Sequence, residues 1–162
     1  MTDRIPISPD ETFMREALKQ ARIAADNGEV PVGAVIVHEN KIIARSYNQV
    51  EILKDPTAHA EMIAITQATA ALENKWLHEC ALYVTLEPCS MCAGALILAR
   101  VRRIYFGAAD LKTGACGSVL DIVRHEPLNH HPEVQGGILE EECGQLVSSF
   151  FRQKRDFLNP GL

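Results

Sequence analysis

The amino-acid sequence predicts an α/β fold of three layers, in which helices cover both faces of a central mixed sheet of five strands. Two observations lead to this prediction. An apolar hairpin opens the sheet, and after it short apolar runs alternate with segments whose apolar residues recur at helical spacing. Because strands joined through helices pair in parallel, we expect a mostly parallel sheet with ligands beyond the carboxyl ends of its strands.

The first three elements are a helix and a hairpin. Ser8 is a typical N-cap with proline after it, the apolar residues that follow recur at helical spacing, and Gly28 ends the helix. The apolar runs Val32 to Val37 and Lys41 to Ala44 flank the polar turn residues 38–40. This pattern predicts two antiparallel strands.

The middle of the chain predicts a helix, a strand and a further helix. A polar connection precedes a helix expected from about residue 57 or 58 to Leu72, which carries His59 and Glu61 in its first turn. The apolar run Ala81 to Leu86 predicts a third strand, and residues 91–99 predict a helix directly after it.

The last third of the chain is less regular. Ile104 to Gly107 predicts a fourth strand, and a loop rich in glycine and serine follows from Ala108 to Ser118. The short apolar segment Val119 to Val123 is interpreted as one or two helical turns. Val134 to Gly136 gives a weak fifth strand, and Leu139 to Arg155 gives a final helix.

Composition narrows the possible functions. The 162 residues suit one domain, residues 1–162, with a core at about 8–157 and short flexible ends. The net charge of −5 argues against non-specific nucleic-acid binding through a basic surface. We find neither a signal-peptide pattern nor an apolar run of the roughly 18 residues that a membrane span needs. We therefore expect a cytoplasmic protein with no membrane partner, whose five cysteines are thiols or metal ligands.

A candidate zinc site follows the third predicted strand. Cys89 and Cys92 stand three apart behind Pro88, so both thiols can lie on one face where a helix begins. Catalytic zinc takes three protein ligands and keeps a fourth position for water, and His59 is the best candidate for the third ligand. Glu61, two residues further on, would carry protons between that water and a leaving group.

Alternatives remain for this cluster. A Cys-x-x-Cys pair also occurs in redox motifs and in structural zinc sites, and the latter would need a fourth permanent ligand from Cys80, Cys116 or Cys143. Geometry raises a further difficulty, because residues two apart in a regular helix point about 200° away from each other. The first turn of the second predicted helix must therefore present both His59 and Glu61 from its open end.

The motif His59-Ala60-Glu61, followed by Pro88-Cys89-Ser90-Met91-Cys92, resembles the signature of zinc-dependent nucleobase deaminases. A closer resemblance is to the bacterial tRNA-specific adenosine deaminases, and it runs from about Phe13 to Arg155. It rests on these segments: Asp55 to Met62, Thr85 to Ala95, Ala99 to Val101, Phe106 to Ala108 and Lys112 to Ala115.

The resemblance implies a cytidine deaminase-like fold and a hydrolytic conversion of adenosine to inosine at the wobble position of a tRNA anticodon loop. It implies one zinc ion per subunit on His59, Cys89 and Cys92, with Glu61 as the proton carrier. It further implies that Asn48 hydrogen-bonds the purine and that the enzyme is a homodimer. The RNA contacts it implies are basic residues of the final helix, Arg152, Lys154 and Arg155.

Other interpretations stay open at this point. Asn48 could be a turn residue, the basic cluster could be a solvated face, and Phe150 and Phe151 could be core, dimer seam or stacking residues, with the core as the default. Cys116 replaces a residue that is commonly small and not a thiol in the family. Two other functions compete: deamination of free guanine, cytosine or their nucleosides at the same site, and a non-catalytic RNA-binding or structural zinc protein.

Overall fold

The computed structural model describes residues 8–161, and the flexible ends expected from the sequence lie partly outside them. Within that range the chain forms five helices and five strands. The helices are α1 (Pro9–Asp26), α2 (Val50–Leu53), α3 (Ala60–Leu72), α4 (Ser90–Leu98) and α5 (Glu140–Leu158). The strands are β1 (Gly33–His38), β2 (Lys41–Tyr47), β3 (Cys80–Leu86), β4 (Arg103–Ala108) and β5 (Glu133–Gln135).

The strands form one mixed sheet in the order β2-β1-β3-β4-β5, which confirms the predicted sheet. The expectation of a mostly parallel sheet is wrong, because two of the four pairings are antiparallel: β1 with β2 and β1 with β3. The reason lies in the first crossover. The chain leaves β2, passes through α3 and returns as β3 on the far side of β1, so the two strands that run in the same direction are separated by β1.

Helices cover both faces of the sheet, as predicted. One core cluster joins α3 and α4 to the strand residues Ala34 and Ile36, and the other joins α1 and α5 to Val35 and Val37. The alternation along β1 therefore divides the core into its two layers. Gly33 lies so close to α1 that a β carbon there would collide with the carbonyl oxygen of Ala17.

Local chemistry explains the ends of several elements. The Ser8 hydroxyl accepts a hydrogen bond of 3.2 Å from the backbone N–H of Glu11, which confirms Ser8 as an N-cap. Helix α1 ends at Asp26, and Gly28 follows the cap with a φ of 75°. None of the helices between residues 8 and 161 combines the length and the apolar composition of a membrane span.

Two local predictions are wrong. Residues 119–123 form no helix, because the backbone N–H groups of Val119 and Leu120 both donate to the carbonyl oxygen of Gly114 and hold the segment in the loop. The connection predicted to be merely polar contains the short helix α2. The backbone N–H groups of Glu51 and Ile52 in its first turn donate to the carboxylate of Glu29.

Candidate active site

The predicted metal ligands stand at the starts of two neighbouring helices. His59 is the N-cap residue of α3 and Cys89 is the N-cap residue of α4, and both have an extended backbone. Cys92 follows in the first turn of α4. Neither His59 nor Cys89 uses its side chain to cap its own helix, so the imidazole and the thiol remain available to a ligand.

This arrangement resolves the geometric difficulty of His59 and Glu61. Because His59 precedes the helix and Glu61 is its second residue, the two are not helical neighbours and the angle of a regular helix does not apply. The conformation of the start of α3 is fixed by hydrogen bonds. Asp55 accepts from the backbone N–H and hydroxyl of Thr57, which lowers the pKa of Asp55, and Ser46 donates to the carbonyl oxygen of Ala60 at 2.6 Å.

The three donor atoms are spaced as a zinc ion requires. His59 Nδ1 lies 3.6 Å from Cys89 Sγ and 3.5 Å from Cys92 Sγ. Zinc bonds of about 2.0 Å to nitrogen and about 2.3 Å to sulfur, at a tetrahedral angle, separate those atoms by about 3.5 Å. Between residues 8 and 161 this group consists of His59, Cys89 and Cys92 alone. The donor set therefore fits zinc with one position left for another ligand.

Hydrogen bonds among the three candidate ligands shift their pKa values. A hydrogen bond from the Cys92 thiol lowers the pKa of Cys89 to about 4, and the same bond, together with burial, raises the pKa of Cys92. The hydrogen bond with Cys89 raises the pKa of His59. Metal binding must displace these protons, so affinity for the metal falls as pH falls.

The other three cysteines are buried and lie outside the cluster: Cys80, Cys116 and Cys143. Burial raises the pKa of these thiols to about 11, about 12 and about 12, respectively. They behave as small apolar residues of the core.

Glu61 lies beside the metal ligands and is 4% exposed. Burial raises the pKa of its carboxyl group, because the charged form loses its hydration. A hydrogen bond with the Cys92 thiol and the nearby His59 partly oppose this effect. The carboxyl group is therefore buried against two of the three candidate metal ligands.

A pocket of about 240 Å³ opens beside the cluster. Asn48 lines it and is 7% exposed, with its Nδ2 atom donating to the carbonyl oxygen of Val30 at 3.3 Å. Its Oδ1 atom is buried and has no hydrogen-bond partner among the residues that the structure describes. A buried amide oxygen of this kind is unusual in a folded protein, and a bound ligand can satisfy it.

The final helix contributes to the same pocket. Phe150 and Lys154, one helical turn apart on α5, line its mouth, whereas Arg152 and Arg155 are exposed on the same helix and outside the lining. The default assignment of Phe150 and Phe151 to the core is wrong. Phe151 is 39% exposed and Phe150 is partly buried, because the last turns of α5 run out into solvent.

Two buried carboxylates of the pocket were missed by sequence reasoning. Glu29 is fully buried, and its oxygens accept hydrogen bonds of 3.1 and 2.7 Å from the backbone N–H groups of Glu51 and Ile52 at the start of α2. Glu87 is 3% exposed and bonds to the loop after β4. Glu87 directly follows the apolar run of β3, which was an available signal, whereas Glu29 follows the polar residues Asp26 and Asn27 and gave none.

Comparison with known proteins agrees with this site. Residues 8–155 match the family model of the MafB19-like deaminases. The chain is 48% identical over 149 residues to the tRNA-specific adenosine deaminase of Bacillus subtilis (strain 168), covering 92% of each chain. It is 49% identical over 146 residues to that of Aquifex aeolicus (strain VF5), covering 90% of this chain and 96% of that one.

Solved structures show the same fold. One from studies of A-to-I editing by tRNA:A34 deaminases matches with a TM-score of 0.81 and 45% identity, over 83% of this chain and 98% of that chain. Guanine deaminase from Nitrosomonas europaea matches with a TM-score of 0.73 and 26% identity, over 91% of this chain and 86% of that chain. The cytidine deaminase-like fold expected from the sequence is therefore confirmed.

Proposed function

Because this chain belongs to the family of tRNA-specific adenosine deaminases, we propose that it converts adenosine to inosine at the wobble position of a tRNA anticodon loop. The reaction is a hydrolysis, in which adenosine and water give inosine and ammonia. One observation carries the proposal: a three-ligand cluster with zinc spacing stands beside a buried carboxyl group and a pocket with an unpaired amide oxygen.

We propose that His59, Cys89 and Cys92 hold one zinc ion per chain. The spacing of their donor atoms and the lowered pKa of the Cys89 thiol support this assignment. Zinc in such a site lowers the pKa of a coordinated water towards about 7, which supplies hydroxide at neutral pH. The absence of a fourth protein ligand near the cluster, within residues 8–161, favours a catalytic site over a structural one.

Glu61 is the proposed proton carrier. Its carboxylate takes a proton from the attacking water and returns it to the amino nitrogen as the bond from that nitrogen to C6 of the base breaks and ammonia leaves. A buried position within reach of the metal ligands supports this role, because water there cannot compete for the proton.

Asn48 is the proposed contact to the target base. Its unpaired Oδ1 atom lies buried at the pocket, where it can accept a hydrogen bond from the base. Binding of the base would satisfy an atom that is otherwise costly to bury, so the site favours ligands that carry a donor at this position. The alternative role as a turn residue does not account for the unpaired oxygen.

The last turns of α5 are proposed to contact the RNA. Lys154 at the pocket mouth and the exposed Arg152 and Arg155 suit phosphate groups, and Phe150 beside Lys154 offers a surface on which a neighbouring base can stack. The contact is local, in agreement with the overall charge of −5. Lys154→Ala should weaken stem-loop binding and reduce its dependence on salt.

We further propose that the enzyme acts as a homodimer in the cytoplasm. Large apolar side chains exposed in the loop after β4, Leu111 at 81% and Leu120 at 51%, support association of two copies. None of the five cysteines, all of which the structure describes, forms a disulfide, in agreement with a reducing compartment. Light scattering during gel filtration tests the dimer, and a particle of monomer mass would contradict it.

The test of the function is a deamination assay. An anticodon stem-loop with adenosine at the wobble position is supplied beside free adenosine, guanine and cytosine, with the zinc content of the enzyme measured in parallel. Inosine in the stem-loop is the expected product. Ammonia from a free base or nucleoside alone would favour the second candidate, which the structural match to guanine deaminase supports at 26% identity.

A further inference from the structure

We propose that Glu87 is a positioning residue of the active site, whose carboxylate holds the loop 110–118 in place and thereby shapes the wall of the substrate pocket. Asp110 and Thr113 of this loop line the pocket on the side of Cys89. The inference rests on the proposed function, because its effect on substrate is measured with the anticodon stem-loop. Nothing in it requires Glu87 to touch the substrate or the metal.

The hydrogen bonds of Glu87 gather the two ends of the loop. Oε1 accepts from the backbone N–H of Asp110 at 3.2 Å, and Oε2 accepts from those of Cys116 and Ser118 at 3.0 and 3.2 Å. The Ser118 hydroxyl also donates to Oε1. One buried carboxylate thus satisfies four donors from three loop residues, and it is acceptor for all of them.

The loop is tied to the metal-binding segment on its other side as well. The backbone N–H of Ala115 donates to the carbonyl oxygen of Pro88 at 2.8 Å, and Gly114 forms an isolated antiparallel bridge with Cys89. Glu87, Pro88 and Cys89 are consecutive, so side chain and backbone of one short segment together hold the loop. A shift of the loop would therefore move the pocket wall relative to Cys89.

Gly114 packs so closely against Glu87 that no residue with a side chain fits at its position. A β carbon at Gly114 would collide with Oε2 of Glu87 and would lie 2.5 Å from the carbonyl oxygen of Asp110. The loop can approach the carboxylate only because this residue has no side chain. Gly114 therefore offers a second way to disturb the same contact without altering the carboxylate.

The experiment compares Glu87→Gln and Gly114→Ala with the unmodified enzyme. Glutamine keeps the size of the side chain but turns an amide N–H₂ group towards N–H donors, so at least one loop hydrogen bond is lost. Gly144→Ala is the matched control, because its added β carbon meets only an ordinary contact of 3.7 Å with Ala108. For each protein we would measure stem-loop kinetics, zinc content, melting temperature and amide hydrogen exchange.

We expect Glu87→Gln to lower kcat/KM for the stem-loop at least tenfold, mostly through a higher KM, with zinc still at one per chain. Amide exchange should accelerate at least tenfold at Asp110, Cys116 and Ser118 and stay unchanged in α1 and β1. Gly114→Ala should reproduce both effects, and the double variant should show less than the sum of the two. Gly144→Ala should match the unmodified enzyme.

Two results would overturn the inference. One is unchanged exchange in residues 110–118 of both variants. The other is faster exchange throughout the chain with a lowered melting temperature, which is what a purely structural role of Glu87 predicts. If the unmodified enzyme does not deaminate the stem-loop, the proposed function fails, whereas the exchange pattern and zinc content still decide whether Glu87 holds the loop. If Glu87→Gln does not fold, Gly114→Ala gives the decision alone.

Discussion

Two glutamates beside the metal ligands are almost equally buried, Glu61 at 4% and Glu87 at 3%, yet their surroundings differ. Glu61 faces the Cys92 thiol and His59, and burial raises its pKa. Glu87 receives four hydrogen bonds from one loop. Burial of a carboxyl group therefore does not identify the proton carrier. The groups around it distinguish the two residues: the carboxyl group of Glu87 is occupied by donors of the loop, whereas that of Glu61 contacts two candidate metal ligands, which favours Glu61 as the proposed proton carrier.

Removal of the metal should have the largest effect and should separate the two glutamates. After dialysis against a zinc chelator, we expect no detectable inosine formation, because the three donor atoms then hold nothing that activates water. Activity should return when one equivalent of zinc is added. Amide exchange in residues 110–118 should change little, since the contacts of Glu87 need no metal. Full activity of metal-free enzyme would contradict the zinc assignment.

Glu61→Gln should lower kcat by about 10²–10⁴, the range typical for loss of a general acid or base. The amide cannot accept and return a proton, but it has the same size, so fold and zinc content should be kept. Single-turnover measurement on the stem-loop gives the rate of the chemical step. A loss of less than fivefold would show that another group carries the proton.

Asn48→Ala should act on substrate binding rather than on proton transfer. Truncation removes the unpaired Oδ1 atom, and loss of one hydrogen bond to the base should raise KM for the stem-loop by about tenfold. Titration of a catalytically inactive Glu61→Gln background with stem-loop measures affinity directly. Unchanged affinity would return Asn48 to the role of a turn residue.

Ser118→Ala should have the smallest effect. It tests how much the Ser118 hydroxyl contributes to holding the loop against Glu87. It removes one of the four hydrogen bonds to that carboxylate and leaves the three backbone donors in place. We expect a free energy of unfolding lower by about 1–2 kcal/mol, measured by urea denaturation, with kcat changed less than twofold. If Ser118→Ala lowered kcat/KM for the stem-loop as much as Glu87→Gln does, the hydroxyl, and not the backbone amides, would hold the loop.

Much of this molecule was predictable because the signals are local. The N-cap at Ser8, the hairpin after Val32 and the Cys89–Cys92 pair each lie within a few residues of sequence, and the structure places them as expected. The linkage of that pair to His59 spans thirty positions and was predicted from ligand chemistry together with family resemblance.

The missed features depend on contacts between distant parts of the chain. Strand β3 pairs with β1, which is distant from it in sequence, and no local pattern predicts that pairing. Helix α2 begins where Glu29 caps it from more than twenty residues away, and the loop that precedes residues 119–123 is held by Glu87 through Ser118. In the last two cases a buried glutamate from elsewhere in the sequence bonds to the backbone N–H groups of the segment.

The position of His59 and Cys89 as N-cap residues has a consequence for how such a chain can change over time. Each donor side chain belongs to the residue at which a helix starts, so the position of the helix start also fixes the position of the donor atom. If either helix began one residue earlier or later in the sequence, the donor at its start would turn by about 100° about the helix axis, and the donor atoms would separate. The candidate metal site therefore restricts where α3 and α4 can begin.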